Sequence, residues 1–133
     1  MKHLLFLMVA GFVLLSCSKS NDAEEQNNPP IKTTVNFTNS LSYNLSNVLL
    51  GTIKTGPAIL LKNIGTLNAG SSTGQIDIKD NSVNKVFLYY DYGGKTYYTD
   101  YGFGISQGTF NNWTISTNTI VHQIDKSSSI YPK

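Results

Sequence analysis

The residues of this chain that could do chemistry are few, and each must be judged by the company it keeps. Among 133 residues there are two histidines, one cysteine and eight Asp and Glu residues. Gly104-Ile105-Ser106-Gln107-Gly108 has the G-x-S-x-G spacing in which a sharp strand-to-helix turn exposes a nucleophilic serine. Such a serine needs a general base and a carboxylate to orient that base. The only downstream histidine is His122, no carboxylate lies between Ser106 and His122, and no helical repeat follows Gly108. Ser106 therefore reads as part of a glycine-rich loop between strands. His122 shares a strand face with Ile120 and Ile124 and is expected to be a packed or hydrogen-bonded core residue. One histidine does not make a zinc site. Asp77 and Asp80 could offer oxygens to calcium, but no EF-hand-type loop surrounds them. The expectation is a non-enzymatic chain with no catalytic residue, no metal and no cofactor.

Charge narrows the partners. Ten Lys and no Arg against eight acids leave a net +2, with the lysines scattered along the chain. Nucleic acid is not an expected partner, because phosphate and guanine recognition lean on the bidentate guanidinium.

The densest cluster of recognition-grade side chains lies around Gly93-Gly94. Adjacent glycines can take the positive φ values of a two-residue hairpin turn, which fixes the register on either side. Tyr92 then faces Lys95, Asp91 faces Thr96, Tyr90 faces Tyr97, Tyr89 faces Tyr98 and Phe87 faces Asp100. Alternation divides these residues between two faces. Val86, Leu88, Tyr90, Tyr92, Tyr97 and Tyr101 form the more continuously apolar one, expected in the core. Phe87, Tyr89, Asp91, Thr96, Tyr98 and Asp100 form the other, expected in solvent. Aromatic rings beside carboxylates suit a sugar, whose C–H surface stacks and whose hydroxyls donate, and equally suit a protein partner. Phe87, Tyr89, Asp91, Tyr98 and Asp100 are the candidate binding surface.

The elements that must position them read as strands throughout. From Ile31 to Phe37 apolar and polar residues alternate, and further short runs follow at Tyr43–Ile53, Ala58–Ile64, Gln75–Ile78, Lys85–Tyr92, Lys95–Phe103, Trp113–Thr117 and Thr119–Asp125. Gly, Asn and Pro punctuate them, and no segment carries a 3.6-residue apolar repeat. Residues 31–133 are expected to form one all-β domain, an antiparallel two-sheet sandwich of seven or eight short strands with a short polar C-terminal tail. A small β-barrel is the alternative, because periodicity does not distinguish closure from two packed sheets.

The N-terminus carries an address. Met1-Lys2-His3 precedes an apolar run, Leu4 to Leu15, too short for an ordinary membrane-spanning helix of about 20 residues. The run ends in Leu14-Leu15-Ser16-Cys17, which resembles the lipobox of bacterial lipoproteins, and Cys17 is the sole cysteine. The resemblance implies a signal peptide over residues 1–16, acylation of Cys17 with a diacylglyceryl group, and anchorage in a lipid bilayer. Residues 17–30 are then the lipidated Cys and a disordered tether, which holds the domain about 20 Å from its anchor. Ser18 to Gln26 resembles the Ser-Lys-acidic segment behind the lipidated Cys in surface lipoproteins of the Bacteroidota, which implies an outer-membrane or cell-surface location. The strand pattern is similar to that of the small immunoglobulin-like or transthyretin-like lipoproteins of the same group. Two roles fit: a non-catalytic sandwich displaying a binding surface for glycan or an envelope protein, or an immunity or inhibitor lipoprotein that blocks a toxin or hydrolase.

Overall fold

Alternation decides the first strand: Val35, Phe37 and Asn39 point inward and are fully buried, while Asn36 and Thr38 between them keep partial contact with solvent. The computed structural model describes residues 32–133, so the signal sequence, Cys17 and the tether lie outside the described residues. Nine strands follow in order: β1 (Thr33–Asn39), β2 (Leu45–Thr52), β3 (Ile59–Leu67), β4 (Ile76–Ile78), β5 (Lys85–Tyr92), β6 (Lys95–Thr99), β7 (Phe103–Gly104), β8 (Phe110–Ile115) and β9 (Val121–Ile124). They form two sheets. One has the order β4-β1-β8; the other has the order β3-β2-β5-β6-β9, with β7 paired to β5. There is no helix among the described residues, and the all-β, two-sheet architecture is consistent with a sandwich.

The sheets meet over one core. Val35 and Phe37 of β1, Ile78 of β4 and Ile115 of β8 pack with Val48 and Leu50 of β2 and with Val86, Leu88 and Tyr90 of β5. Phe37 anchors an aromatic knot, its ring 5.1 Å from Phe103 and 5.4 Å from Trp113. Buried Asn39 is satisfied by donating to the carbonyls of Tyr43 and Leu67, which ties the end of β1 to the open end of the β2–β3 hairpin.

Two details depart from the expected pattern. β1 and β8 run parallel, Thr34 opposite Phe110 through Asn39 opposite Ile115, so the smaller sheet is mixed. Parallel neighbours need a long crossover, and local turn chemistry does not announce one. The run Lys95–Phe103 is also not a single strand. It breaks after Thr99, and the chain returns at β7 to the beginning of β5, pairing Lys85 with Gly104 and Val86 with Phe103. The expected pairing of Phe87 with Asp100 is therefore not made. Gly102 permits the jog: its φ is +61°, and a Cβ there would lie 2.9 Å from the Phe87 ring.

Candidate functional site

Gly93 and Gly94 take φ values of 58° and 75°, the pair of positive angles that a type I′ turn requires. The register follows as expected: Tyr92 with Lys95, Asp91 with Thr96, Tyr90 with Tyr97 and Tyr89 with Tyr98. Val86, Leu88 and Tyr90 face the core, with the Tyr97 ring stacked 5.8 Å from Tyr90. The same face does not stay buried to its ends, for Tyr92 is 43% exposed and Tyr101 72% exposed.

The opposite face is not the open surface its residues suggested. Tyr89 is 0% exposed and Phe87 9% exposed. Together with Ala58 they form a second core, onto which Leu49, Ile53, Tyr98, Ile124 and Tyr131 pack. The cover is the last segment of the chain. After Asp125 it turns on hydrogen bonds from Ser128 N to Asp125 O and from Tyr131 N to Ser128 O. Ser129 O then accepts from Ala58 N at 2.9 Å, and the Tyr131 ring meets Tyr89 edge-on at 5.9 Å. Pro132 closes over Gly51, where a Cβ would come within 3.3 Å of it. The tail expected to be polar is a strap. Its signal in the sequence was Ile130-Tyr131-Pro132, three apolar residues following a polar run and preceding Lys133.

Asp91 is also engaged. It accepts hydrogen bonds from Thr96 Oγ1 at 2.6 Å and from Asn47 Nδ2 at 2.8 Å, and pairs with Lys126 Nζ at 2.6 Å. Partial burial pushes its pKa up, but the bonds from Lys126, Thr96 and Asn47 outweigh that and hold it below the usual carboxylate range. Asp91 in turn raises the pKa of Lys126. Its carboxylate clamps the strap to β6 and to the bulge of β2, where Asn47 sits at φ 48°.

Asp100 and His122 form a pair, Nε2 to Oδ1 at 3.1 Å. His122 lies opposite Tyr98 on the edge strand β9, with its side chain half exposed, so it is not the core residue expected from its neighbours. Ile120 is exposed as well: it precedes β9, in the turn after β8, whereas Ile124 at the far end of the strand packs on the second core. Ser106 sits in the loop between β7 and β8. That loop is fastened to the other sheet, with Gly108 N donating to Thr33 Oγ1 at 2.8 Å. Ser106 N donates to Asn111 Oδ1, and no hydrogen bond joins Ser106 to His122 or to a carboxylate among the described residues. Asp77 pairs with Lys32 at 3.4 Å, and Asp80 with Lys54 at 2.6 Å. Among the described residues no three His, Cys, Asp or Glu side chains gather as a metal site.

What remains open lies between the sheets. β3 and β4 are edge strands of the two sheets, and a cleft of about 760 Å³ separates them, lined by Leu60, Leu61 and Lys62 on one side and by Ile76, Asp77 and Lys79 on the other. Leu60 in its lining is 38% exposed, and Ile59, the residue before it in β3, is 48% exposed. This cleft was missed in the sequence, because it arises from two strands being unpaired on one side, which no residue type encodes. A smaller polar depression beside the clamp, about 450 Å³, is lined by Asp91, Thr96, Gln123 and Lys126. No family model, no curated protein and no solved structure matches the chain.

Proposed function

We propose that the chain is a lipid-anchored bacterial envelope lipoprotein whose β-sandwich is a non-catalytic module, displaying a binding surface for an envelope protein. The observation that carries this reading is the cleft between β3 and β4. Among the described residues two sheet edges there lack a neighbouring strand, and unpaired edge backbone is a ready template for another chain. The anchor rests on the resemblance of Leu14-Leu15-Ser16-Cys17 to a lipobox, and the outer-membrane or cell-surface location on that of Ser18 to Gln26. β1 begins at Thr33 beside Ile78 of β4, so the first of the described residues lie next to the cleft. A toxin or hydrolase blocked by an immunity lipoprotein would be one class of such partner.

Glycan recognition is a second reading, favoured by one observation. Tyr43 and Tyr92 stack at 3.9 Å, and Tyr92 keeps much of its surface in solvent, as a sugar-stacking ring must.

The test has two arms. Labelling with an alkyne fatty acid should mark the wild type and spare Cys17→Ala; equal label would remove the anchor. A photo-crosslinking residue at Leu60 should give a discrete protein adduct in the envelope, and one at buried Tyr89 should not. Glycan binding that disappears in Tyr92→Ala, with no adduct from Leu60, would move the function to the tyrosine pair.

A further inference from the structure

The charges around the cleft do not cancel. Asp77 is taken by Lys32 and Asp80 by Lys54, which leaves those two pairs neutral. Lys62 on β3 and Lys79 just beyond β4 are both exposed and make no ion pair among the described residues. The floor is apolar, with Leu61 and Ile76 packed against the main core. We infer that this cleft receives an extended acidic segment of a partner protein, added as a strand along the free edge of β3. The inference rests on the binding role proposed above and gives that role a partner chemistry.

Each feature selects part of this occupant. The free edge of β3, a nine-residue strand, offers main-chain donors and acceptors that only an extended backbone can match. Because side chains alternate along an added strand, one set can meet Leu61 and Ile76 on the apolar floor while the other meets the ammonium groups of Lys62 and Lys79. Other occupants fit less well. A second copy would bring the same two lysines to the same cleft, and like charges oppose that pairing. Among the described residues no aromatic side chain lines the cleft, which gives a sugar ring nothing there to stack on. Lys62 at an open edge also disfavours indiscriminate strand pairing, a common device of natural sheets.

The test uses the full chain in detergent and two labelled ten-residue peptides, one alternating Val and Glu and one alternating Val and Lys. Fluorescence anisotropy should show the acidic peptide binding more tightly by about tenfold, the scale of two exposed ion pairs, with the preference weakening as salt rises. Lys62→Glu with Lys79→Glu should reverse the preference and leave the melting curve unchanged, since both side chains are exposed. Amide exchange should slow in β3 on binding. Equal affinity for both peptides, no binding of either, or protection confined to another strand would overturn the inference. Failure of the anchor would not affect these results, because they hold equally for Cys17→Ala. A Leu60 adduct formed with a partner whose contacting segment is not acidic would keep the binding role and overturn the partner chemistry.

Discussion

Replacing Tyr89 by Phe should stabilise this protein, against the usual sign for loss of a buried hydroxyl. The Tyr89 side chain is wholly buried, and its hydroxyl has no hydrogen-bond partner among the described residues. Where a buried hydroxyl is bonded, its removal costs on the order of 1 kcal/mol; where it is orphaned, about 1 to 3 kcal/mol of desolvation is being carried without return. Tyr89→Phe keeps the ring, its stacking on Tyr98 at 5.9 Å and its edge contact with Tyr131, so packing is conserved. A gain of about 1 kcal/mol should raise Tm by roughly 4 to 8 °C in a domain of this size. The midpoint of urea unfolding should rise with an unchanged slope. The phenol also has its pKa pushed up to about 12 by burial and by neighbouring Tyr98. A raised folded-state pKa gives stability that is full below the unfolded value of 10.0 and lost as pH climbs toward 12, so Tyr89→Phe should lose less stability across that alkaline window. Tyr89→Ala is the control, expected to cost about 3 to 5 kcal/mol because it opens a cavity beneath the strap. A loss of 1 kcal/mol or more (about) in Tyr89→Phe would show that the hydroxyl is bonded and refute the reasoning.

Three further substitutions probe the strap, the clamp and the chain break. Tyr131→Ala should cost about 2 kcal/mol, from a lost aromatic pair and lost burial over Tyr89, and should speed amide exchange in β5 selectively; an unchanged melt would mean that the strap covers nothing of consequence. Asp91→Asn should destabilise by roughly 1 to 2 kcal/mol near neutral pH. Because the folded pKa of Asp91 is depressed, its contribution is present above the ordinary value of 3.8 and lost as pH falls through the folded pKa, so the variant should show a shallower acid limb in melts taken from pH 7 downward. Gly102→Ala should cost about 2 kcal/mol or more, since it meets both a left-handed backbone and the ring of Phe87; circular dichroism melts decide it.

The hairpin was legible because its determinants are local. Gly93-Gly94 sets the turn, the turn sets the register, and alternation then places Val86, Leu88 and Tyr90 together. How many faces of β5 are covered is not local. Val86-Phe87-Leu88-Tyr89-Tyr90 is a continuous apolar run, the pattern of a strand buried on both sides, and that continuity was the available evidence against an open outer face. The covering residues lie at positions 131 and 132, far along the chain and separated from β9 by a mostly polar stretch, Asp125 to Ser129, and Ile130. Asp91 illustrates the same limit. Its type and register were readable, but Asn47 and Lys126, which saturate its carboxylate, come from either side of it in sequence at long range. His122 was misplaced because β9 has no neighbour beyond it among the described residues, and an alternating sequence looks the same at an edge as at the centre of a sheet.

Burying both faces of β5 closes the centre of the larger sheet to a partner and shifts attention to its edges. The two edges of that sheet are unlike. β9 is four residues long and presents half-exposed His122, held by Asp100, and exposed Gln123, which makes it a short and polar edge. β3 is nine residues long, exposes Ile59 and Leu60, and faces the free edge of β4 across the cleft. A short polar edge resists strand addition, whereas a long one with apolar residues invites it unless guarded. The guard on β3 is the charge of Lys62, with register shifts where β2 crosses Val48 and Leu50. That charge repels another copy and attracts acid, so the residue that protects this edge from self-association is also the one that would choose its partner.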